Sequence, residues 1–327
     1  MTGLRRLFTI IIFCASFPLC ALDNKFDKYF SFSITPQFEI AKGNIKEYVF
    51  ESACKNTDNM ESMLNWDVRT ISLLTLKANF NILKYISVGV SGTATVPQRS
   101  GFMQDSDWLN SVSSVWINDD PTERTDYSEH RNQLDKFVSF RINLGANIYL
   151  PAEIKLRPYI GYNYEFIKFT ASDGYGIYKS NNYDTYPWSG KVIAYEQESN
   201  TMLLGLTFLT DIIPRTSIIF NFDFSPKMNY LNAIDFHYTR NLAFWDKFKK
   251  TLLIESDLTA QYRFTKNHSA GFSARVQYIP LSKGTTYSKN LDANGNLTSG
   301  SWIPLSGGNG GTDRLIWAFG LNYSFSL

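Results

Sequence analysis

The chain is poor in cysteine and contains no long apolar run. It has three cysteines in 327 residues, and two of them fall within the first 21 residues. Cys54 alone cannot form an internal disulfide, and no Cys/His spacing predicts a zinc site. After residue 21, no apolar run approaches the roughly 18 residues that a membrane-spanning helix requires. The sequence therefore predicts neither a disulfide scaffold nor a helical membrane protein.

Charge is also sparse and nearly balanced. Charged residues make up 19% of the chain, and the formal net charge is +2. A nucleic-acid-binding protein normally shows a basic face, so no nucleic-acid partner is predicted. Aromatic residues are abundant instead, with 25 Phe and 19 Tyr. This composition suits a membrane β-barrel with aromatic girdles, although a soluble all-β protein could share it.

Residues 1–21 have the pattern of a secretory signal peptide. Arg5 and Arg6 precede an apolar core at 7–13, and small residues lie before a cleavage point at Leu22. The alternative is a lipoprotein signal modified at Cys20, although Leu19 fits poorly the small residue expected there. No linker divides the rest, so residues 22–327 are predicted to form a single domain. An exported protein of this kind is periplasmic, secreted or an outer-membrane barrel.

Apolar and polar residues alternate with a period of two along much of the chain. Between Phe137 and Leu150, every even position is apolar, whereas the odd positions are mostly polar and include Arg141. The same split recurs at 218–224, 270–278 and 315–327. A soluble β-sandwich would also alternate, but its strands are usually about 5–6 residues long. The long strands, the charges confined to one face and the aromatic C-terminal strand favour a membrane barrel.

Counting these segments predicts an all-β fold, a ten-stranded antiparallel transmembrane β-barrel. An even strand number places both termini of the chain on one side of the membrane. Four short connections then match periplasmic turns, and five long ones match extracellular loops. The predicted strands are 28–40, 63–79, 82–97, 134–150, 155–171, 191–210, 214–229, 250–264, 268–281 and 313–327.

Two pairs of ionisable residues are predicted to meet at the extracellular mouth. Asp105 and Asp107 follow the third strand, and they share one face if the chain there is extended. Asp235 and His237 follow the seventh strand and continue its inward register. The third and seventh strands lie across a ten-strand ring from each other, so the two pairs should face each other.

Such a group of side chains can hydrolyse a bond with water as the nucleophile. A neutral imidazole can take a proton from water, and a neighbouring carboxylate fixes its tautomer. The opposite carboxylates can hold the water and share protons. No serine or cysteine nucleophile motif is present. The alternative for Asp105 and Asp107 is a solvated or calcium-binding surface loop, and a lone Asp-x-His is unremarkable by itself.

At these residues the sequence resembles the omptin family of outer-membrane endopeptidases. The match is Gly-x-Met-x-Asp-x-Asp-Trp at 101–108 and Asp-x-His-Tyr at 235–238. The resemblance implies that Asp235 and His237 activate a water molecule. It implies that Asp105 and Asp107 position this water and stabilise the tetrahedral intermediate. The implied substrates are polypeptides at the cell surface, cleaved near basic residues, and no cofactor or metal is implied.

The resemblance also implies a set of substrate-binding residues. Glu47 matches a residue of an acidic S1 pocket, and Met103 would lie near that pocket. Asp126 matches an acidic position on the S1′ side. Where the family often has a second S1 acid, this chain has Ala233, so the preference for basic residues is expected to be relaxed.

A second departure from the family concerns lipid. Positions that match the family's basic lipopolysaccharide contacts are Phe166 and Glu198, neither of them basic. Outer-membrane lipid remains an expected partner, but dependence on lipopolysaccharide is not expected.

Two other functions compete with the endopeptidase. One is a non-catalytic omptin-like barrel that acts as an adhesin or surface receptor. The other is a porin, but ten strands enclose a narrow interior, which side chains such as Arg141, Glu255 and Arg275 would fill. The presence of all four candidate catalytic residues favours the endopeptidase.

Overall fold

The structure is a computed structural model that describes residues 29–51, 60–109, 123–151, 153–306 and 308–327. The predicted signal peptide and Cys54 lie outside the described residues. Nearly all of the described chain is antiparallel β-strand, apart from one 3-10 turn at Lys179–Asn181. No helix within these ranges has the length and apolar character needed to cross a membrane.

Fourteen strands make up the barrel and its extracellular extension. Three pairs of them, β3 with β4, β5 with β6, and β11 with β12, each continue one long strand across a short break. The short β13 pairs only with β12. The strands are β1 (Phe30–Glu51), β2 (Met60–Ile82), β3 (Ile86–Ala94), β4 (Gln98–Asp107), β5 (Asp126–Ala146), β6 (Ile148–Leu150), β7 (Ile154–Tyr178), β8 (Thr185–Ile213), β9 (Thr216–His237), β10 (Leu242–Arg263), β11 (His268–Lys283), β12 (Thr285–Asn290), β13 (Ile303–Pro304) and β14 (Gly308–Ser326).

The strands close into a ring of ten. Each long strand pairs antiparallel with its neighbours in sequence, β11 pairs with both β10 and β14, and β14 pairs with β1. The two ends of the ring meet, since the Phe32 N–H donates to the Leu327 carbonyl at 3.2 Å and the Leu327 N–H donates to Phe32 at 2.9 Å. A closed ring leaves no unpaired strand edge in the bilayer. The predicted ten-stranded barrel is confirmed.

An apolar belt surrounds the lower part of the barrel, while the inside is polar. Phe140, Leu204, Phe222 and Phe319 are among the exposed side chains of the belt. In the lumen, Arg141 binds Asp223 at 2.8 Å and Glu255 at 2.9 Å, and Arg275 binds Glu39 at 3.3 Å. These ion pairs line a cavity of about 560 Å³. Pairing each buried charge offsets the cost of removing it from water.

The strands extend further toward the extracellular end than the sequence predicted. The predicted loop 98–133 begins only after Asp107, and the predicted loop 230–249 shrinks to residues 238–241. The prediction that the Asp105–Asp107 and Asp235–His237 pairs lie beyond the ends of their strands was therefore wrong. The two pairs are among the last residues of β4 and β9. Above the lipid both faces of a strand can be polar, so the period-two contrast disappears although the backbone ladder continues.

Bulges change which residues face inward in the upper barrel. The register shifts in β5 near Glu129 and Leu134, and in β10 between Phe248 and Leu253. Each extra residue reverses the alternation of side chains. As a result, His130 on β5 and Asp246 on β10 are buried inside, although odd-numbered residues face the lumen lower in both strands. Alternation in the sequence could not predict this reversal.

Candidate active site

An apolar layer separates the polar lumen from the upper end of the barrel. The fully buried Trp66 ring stacks on Phe169, with ring centroids 5.8 Å apart, and on Tyr195 at 5.5 Å. Met103 lies opposite Trp66 across the β2–β4 pairing and is fully buried in the same layer. Met103 therefore forms part of the floor beneath the site.

Asp105 and Asp107 form one wall, on β4 between β2 and β5. Asp105 is only 8% exposed, and its Oδ1 accepts a hydrogen bond from Ser62 Oγ at 3.4 Å. The interpretation of these residues as a solvated surface loop is therefore wrong. Burial raises the pKa of Asp105 well above its ordinary value, and the charge of Asp107 raises it further. Burial also raises the pKa of Asp107. The pair therefore retains a proton at a higher pH than a free aspartate.

Asp235 and His237 form the second wall, near the end of β9. Both are buried, and His237 Nε2 and Asp235 Oδ2 share a hydrogen bond. With Asp235 ionised, Nε2 is the donor, so Nδ1 is left as the basic nitrogen. The edge of the imidazole packs against Phe244, with centroids 5.4 Å apart. These contacts fix the orientation of the ring. Asp235 Oδ1 is buried without a hydrogen-bond partner.

The two walls face each other across the barrel mouth. The charge of Asp235 raises the pKa of Asp105, and that of His237 lowers the pKa of Asp107. Such mutual effects require short separations in a poorly solvated space. The four residues therefore lie within electrostatic reach of one another at this end of the barrel.

Glu47, on β1, joins the second wall. It is buried opposite Leu64 and Thr312. Burial raises the pKa of Glu47 well above its ordinary value, and the charges of Asp235 and Asp246 add to this effect. One Glu47 oxygen, Oε2, has no partner. Glu47 therefore lies near enough to Asp235 for the two carboxyl groups to interact electrostatically.

Asp126 lies beside the first wall. It is opposite Asp107 on the neighbouring strand, and its Oδ1 accepts a hydrogen bond from the Lys179 N–H at 3.3 Å. Burial raises the pKa of Asp126, and the charge of Asp107 adds to this effect.

Three further residues of the site were not predicted from the sequence. Ser62 bonds to the first wall, and Asp246 repels Glu47 and Asp235. Arg240 is exposed in the turn between β9 and β10, and its charge lowers the pKa of Asp105, Asp107 and Asp126. The close spacing of Arg240 to Asp235 and His237 in the sequence was the available signal for that residue. Neither Ser62 nor Asp246 belongs to a motif.

His130 supports the first wall from behind. The Asp173 carbonyl can only accept, so His130 Nδ1 donates to it at 2.6 Å. His130 Nε2 then accepts from Ser128 Oγ at 2.9 Å, and Ser128 lies opposite Asp105. Burial lowers the pKa of His130, which favours the neutral ring. Among the described residues, no group of three or more His, Cys, Asp or Glu side chains is arranged to hold a metal ion.

Comparison with known proteins agrees with this architecture. The chain matches the Omptin family over residues 30–325. It is 23% identical to the plasminogen activator of Yersinia pestis, with 90% of each chain covered. It is 24% identical to the outer membrane protease OmpP of Escherichia coli (strain K12), covering 86% of this chain and 87% of that one. The crystal structure of the outer membrane protease OmpT from Escherichia coli has the same fold, with a TM-score of 0.76 at 21% identity over 90% of this chain and 97% of that one. The match over almost the whole described barrel shows that this chain is an outer-membrane β-barrel of the Omptin family.

Proposed function

We propose that this protein is an outer-membrane endopeptidase that cleaves polypeptides near basic residues at the cell surface. The observation that carries the proposal is the buried, hydrogen-bonded Asp235–His237 pair facing the Asp105–Asp107 pair. Relatives named as a plasminogen activator and an outer membrane protease support the same reaction class. The nucleophile is water.

His237 acts as the general base. Its free Nδ1 takes a proton from water as the oxygen attacks the peptide carbonyl carbon. The carboxylate of Asp235 stabilises the imidazolium that forms. The imidazolium then returns the proton to the leaving amine, and the C–N bond breaks. The hydrogen bond between Asp235 and His237 keeps the ring in the tautomer that this step needs.

The Asp105–Asp107 pair acts on the opposite side of the carbonyl. Two ionised carboxylates would repel the negative oxygen of the tetrahedral intermediate. Because burial raises both pKa values, the pair can retain one proton and donate a hydrogen bond to that oxygen. The remaining carboxylate accepts a hydrogen bond from the attacking water. Ser62 limits the rotation of the pair.

The acidic surroundings select the substrate. Glu47 and Asp126 lie on the two sides of the four catalytic groups, and each carries a carboxyl group. A lysine or arginine side chain entering beside Glu47 would supply the positive charge that this buried group lacks. A cationic substrate is favoured both in its approach and in the bound state.

The test is cleavage of a quenched fluorescent peptide containing Arg-Arg by refolded protein. The expected result is cleavage that is lost in Asp235→Ala and His237→Ala. His268→Ala is a matched control, since His268 lies at the other end of the barrel and bonds to Tyr323 Oη at 2.5 Å. Equal activity in wild type and in both site variants would indicate a contaminating protease. That outcome would favour a non-catalytic role for this barrel as an adhesin or surface receptor.

A further inference from the structure

A buried aspartate on β10 lies directly across from the position where an S1 acid was expected. Asp246 is the partner of Ala233 in the β9–β10 pairing, and its side chain is 4% exposed. The bulge between Phe248 and Leu253 turns Asp246 toward the interior. The methyl group of Ala233 and the carboxylate of Asp246 are therefore neighbours inside the barrel.

The surroundings of Asp246 leave space for its carboxylate. Oδ1 accepts a hydrogen bond from Thr286 Oγ1 at 2.5 Å. A Cβ atom at Gly310 would lie 2.2 Å from this carboxylate, so only glycine fits at that position of β14. Glycine and threonine on two neighbouring strands thus form a fitted niche around an acidic group.

Asp246 belongs to a cluster of three carboxyl groups. Its charge raises the pKa of Glu47, and the charge of Asp235 raises the pKa of Asp246. Burial is the larger cause and brings the pKa of Asp246 to about 7. Within the described part of the chain, Glu47 Oε2 and Asp235 Oδ1 are both buried without a hydrogen-bond partner. Buried carboxyl groups with unpaired oxygens are costly unless a cation or donor reaches them.

The described part of the protein does not supply that cation. No lysine or arginine within it forms an ion pair with Glu47 or Asp246. Lys247 is adjacent in sequence, but its Nζ lies 3.6 Å from the centroid of the Trp245 ring and 4.5 Å from that of Tyr287. That ammonium group therefore lies against aromatic faces, and Glu47 and Asp246 have no basic partner among the described residues.

We propose that Asp246 is a specificity-determining residue that supplies, from β10, the second carboxylate for the basic side chain of the substrate. The small side chain of Ala233 leaves the path between Asp246 and Glu47 open. A substrate ammonium or guanidinium group can then contact both acids. This inference rests on the proposed peptidase function, and it replaces the expectation that Ala233 relaxes the preference for basic residues.

The test compares two peptides that differ only at the residue before the cleaved bond, lysine in one and the neutral, similarly long norleucine in the other. Asp246→Asn is expected to lower kcat/KM for the lysine peptide about 10- to 100-fold. Cleavage of the norleucine peptide should fall much less, so the ratio of the two kcat/KM values is the quantity that decides. Asp313→Asn is the matched control, because Asp313 accepts a hydrogen bond from Tyr48 Oη at 2.6 Å. Its neighbours Thr312 and Arg314 face inward, so Asp313 lies on the outer face of the strand.

A second variant shows whether position or charge matters. Adding Ala233→Asp to Asp246→Asn should restore the preference for lysine, because it returns a carboxylate to the same space. If the Asp246→Asn protein does not refold, Asp246→Ser replaces it as the variant that removes the carboxylate. An unchanged lysine-to-norleucine ratio in a folded Asp246 variant overturns the role of Asp246 alone. Absence of His237-dependent cleavage of either peptide by wild type overturns the peptidase function itself.

Discussion

The ring of Trp66 lies nearly parallel to that of Tyr195, at an interplanar angle of 17°, beneath the residues proposed to be catalytic. Tyr195 is opposite Asp235 in the β8–β9 pairing, so the stacked pair supports the strand that carries Asp235 and His237. The same two rings separate the site from the ion pairs of the lumen. The precision of the site therefore depends on an apolar layer that takes no part in the chemistry.

Trp66→Ala should destabilise the barrel and reduce activity together. Removing a fully buried tryptophan costs about 3–5 kcal/mol, because it leaves a cavity. Thermal unfolding in detergent measures the stability, and peptide cleavage measures the site. Trp317→Ala is the control, because Trp317 belongs to the exposed belt. A Trp66→Ala protein with wild-type melting temperature and activity would contradict this role.

Asp107→Asn should shift the alkaline limb of the pH–rate profile to lower pH. After burial, the charge of Asp107 is the largest effect raising the pKa of Asp105. Without that charge Asp105 loses its proton at a lower pH, and the hydrogen bond to the oxyanion is lost with it. The residual kcat/KM should be measured from pH 5 to 9. An alkaline limb that stays in place or moves to higher pH would show that loss of the Asp105 proton does not limit the activity.

Replacing Arg240 with glutamine should have the opposite effect on the same limb. Arg240 lowers the pKa of Asp105 and Asp107, so its removal raises both values and extends activity to higher pH. Arg240 is exposed, so stability should change little. Arg131→Gln removes a comparable surface charge, one paired with Asp173 at 2.6 Å, and should leave the profile unchanged.

The stability of the barrel should fall as the pH rises through neutrality. Asp246 has an ordinary pKa of 3.8 and a folded-state pKa of about 7. A raised folded-state pKa gives a stabilising contribution that is complete below the ordinary value and is lost as the pH rises through the folded one. The melting temperature should therefore drop more between pH 5 and pH 8 in wild type than in Asp246→Asn. Asp313→Asn should keep the wild-type slope.

Peptide cleavage should not depend on lipopolysaccharide. Phe166 and Glu198 are opposite each other on β7 and β8, and Lys136 Nζ lies 5.3 Å from the Phe166 ring centroid. An acidic residue at this place disfavours a phosphate group. Protein refolded in detergent should be equally active with and without added lipopolysaccharide. Activity that appears only after its addition would refute this expectation.

The barrel and the inward direction of Asp235 and His237 could be predicted because alternation is strong where one face meets lipid. Phe220 and Phe222 are exposed and Asp223 is buried, and this parity continues to Asp235. Asp246 could not be predicted in this way, because the bulge in β10 reverses the alternation before that residue. Glu47 was matched by resemblance, but its electrostatic interaction with Asp235 links β1 and β9, which are not neighbouring strands, so the sequence alone could not predict it.

The continuation of the strands above the lipid sets the height at which the protein acts. From Phe222 in the belt to Asp235 is ~30 Å along the membrane normal for a strand tilted by about 45°. The hydrogen-bonded upper part of the barrel thus holds the residues proposed to be catalytic above the bilayer in a rigid arrangement. The proposed peptidase is therefore expected to cleave chains that approach from the surrounding medium, while segments embedded in the lipid stay below its reach.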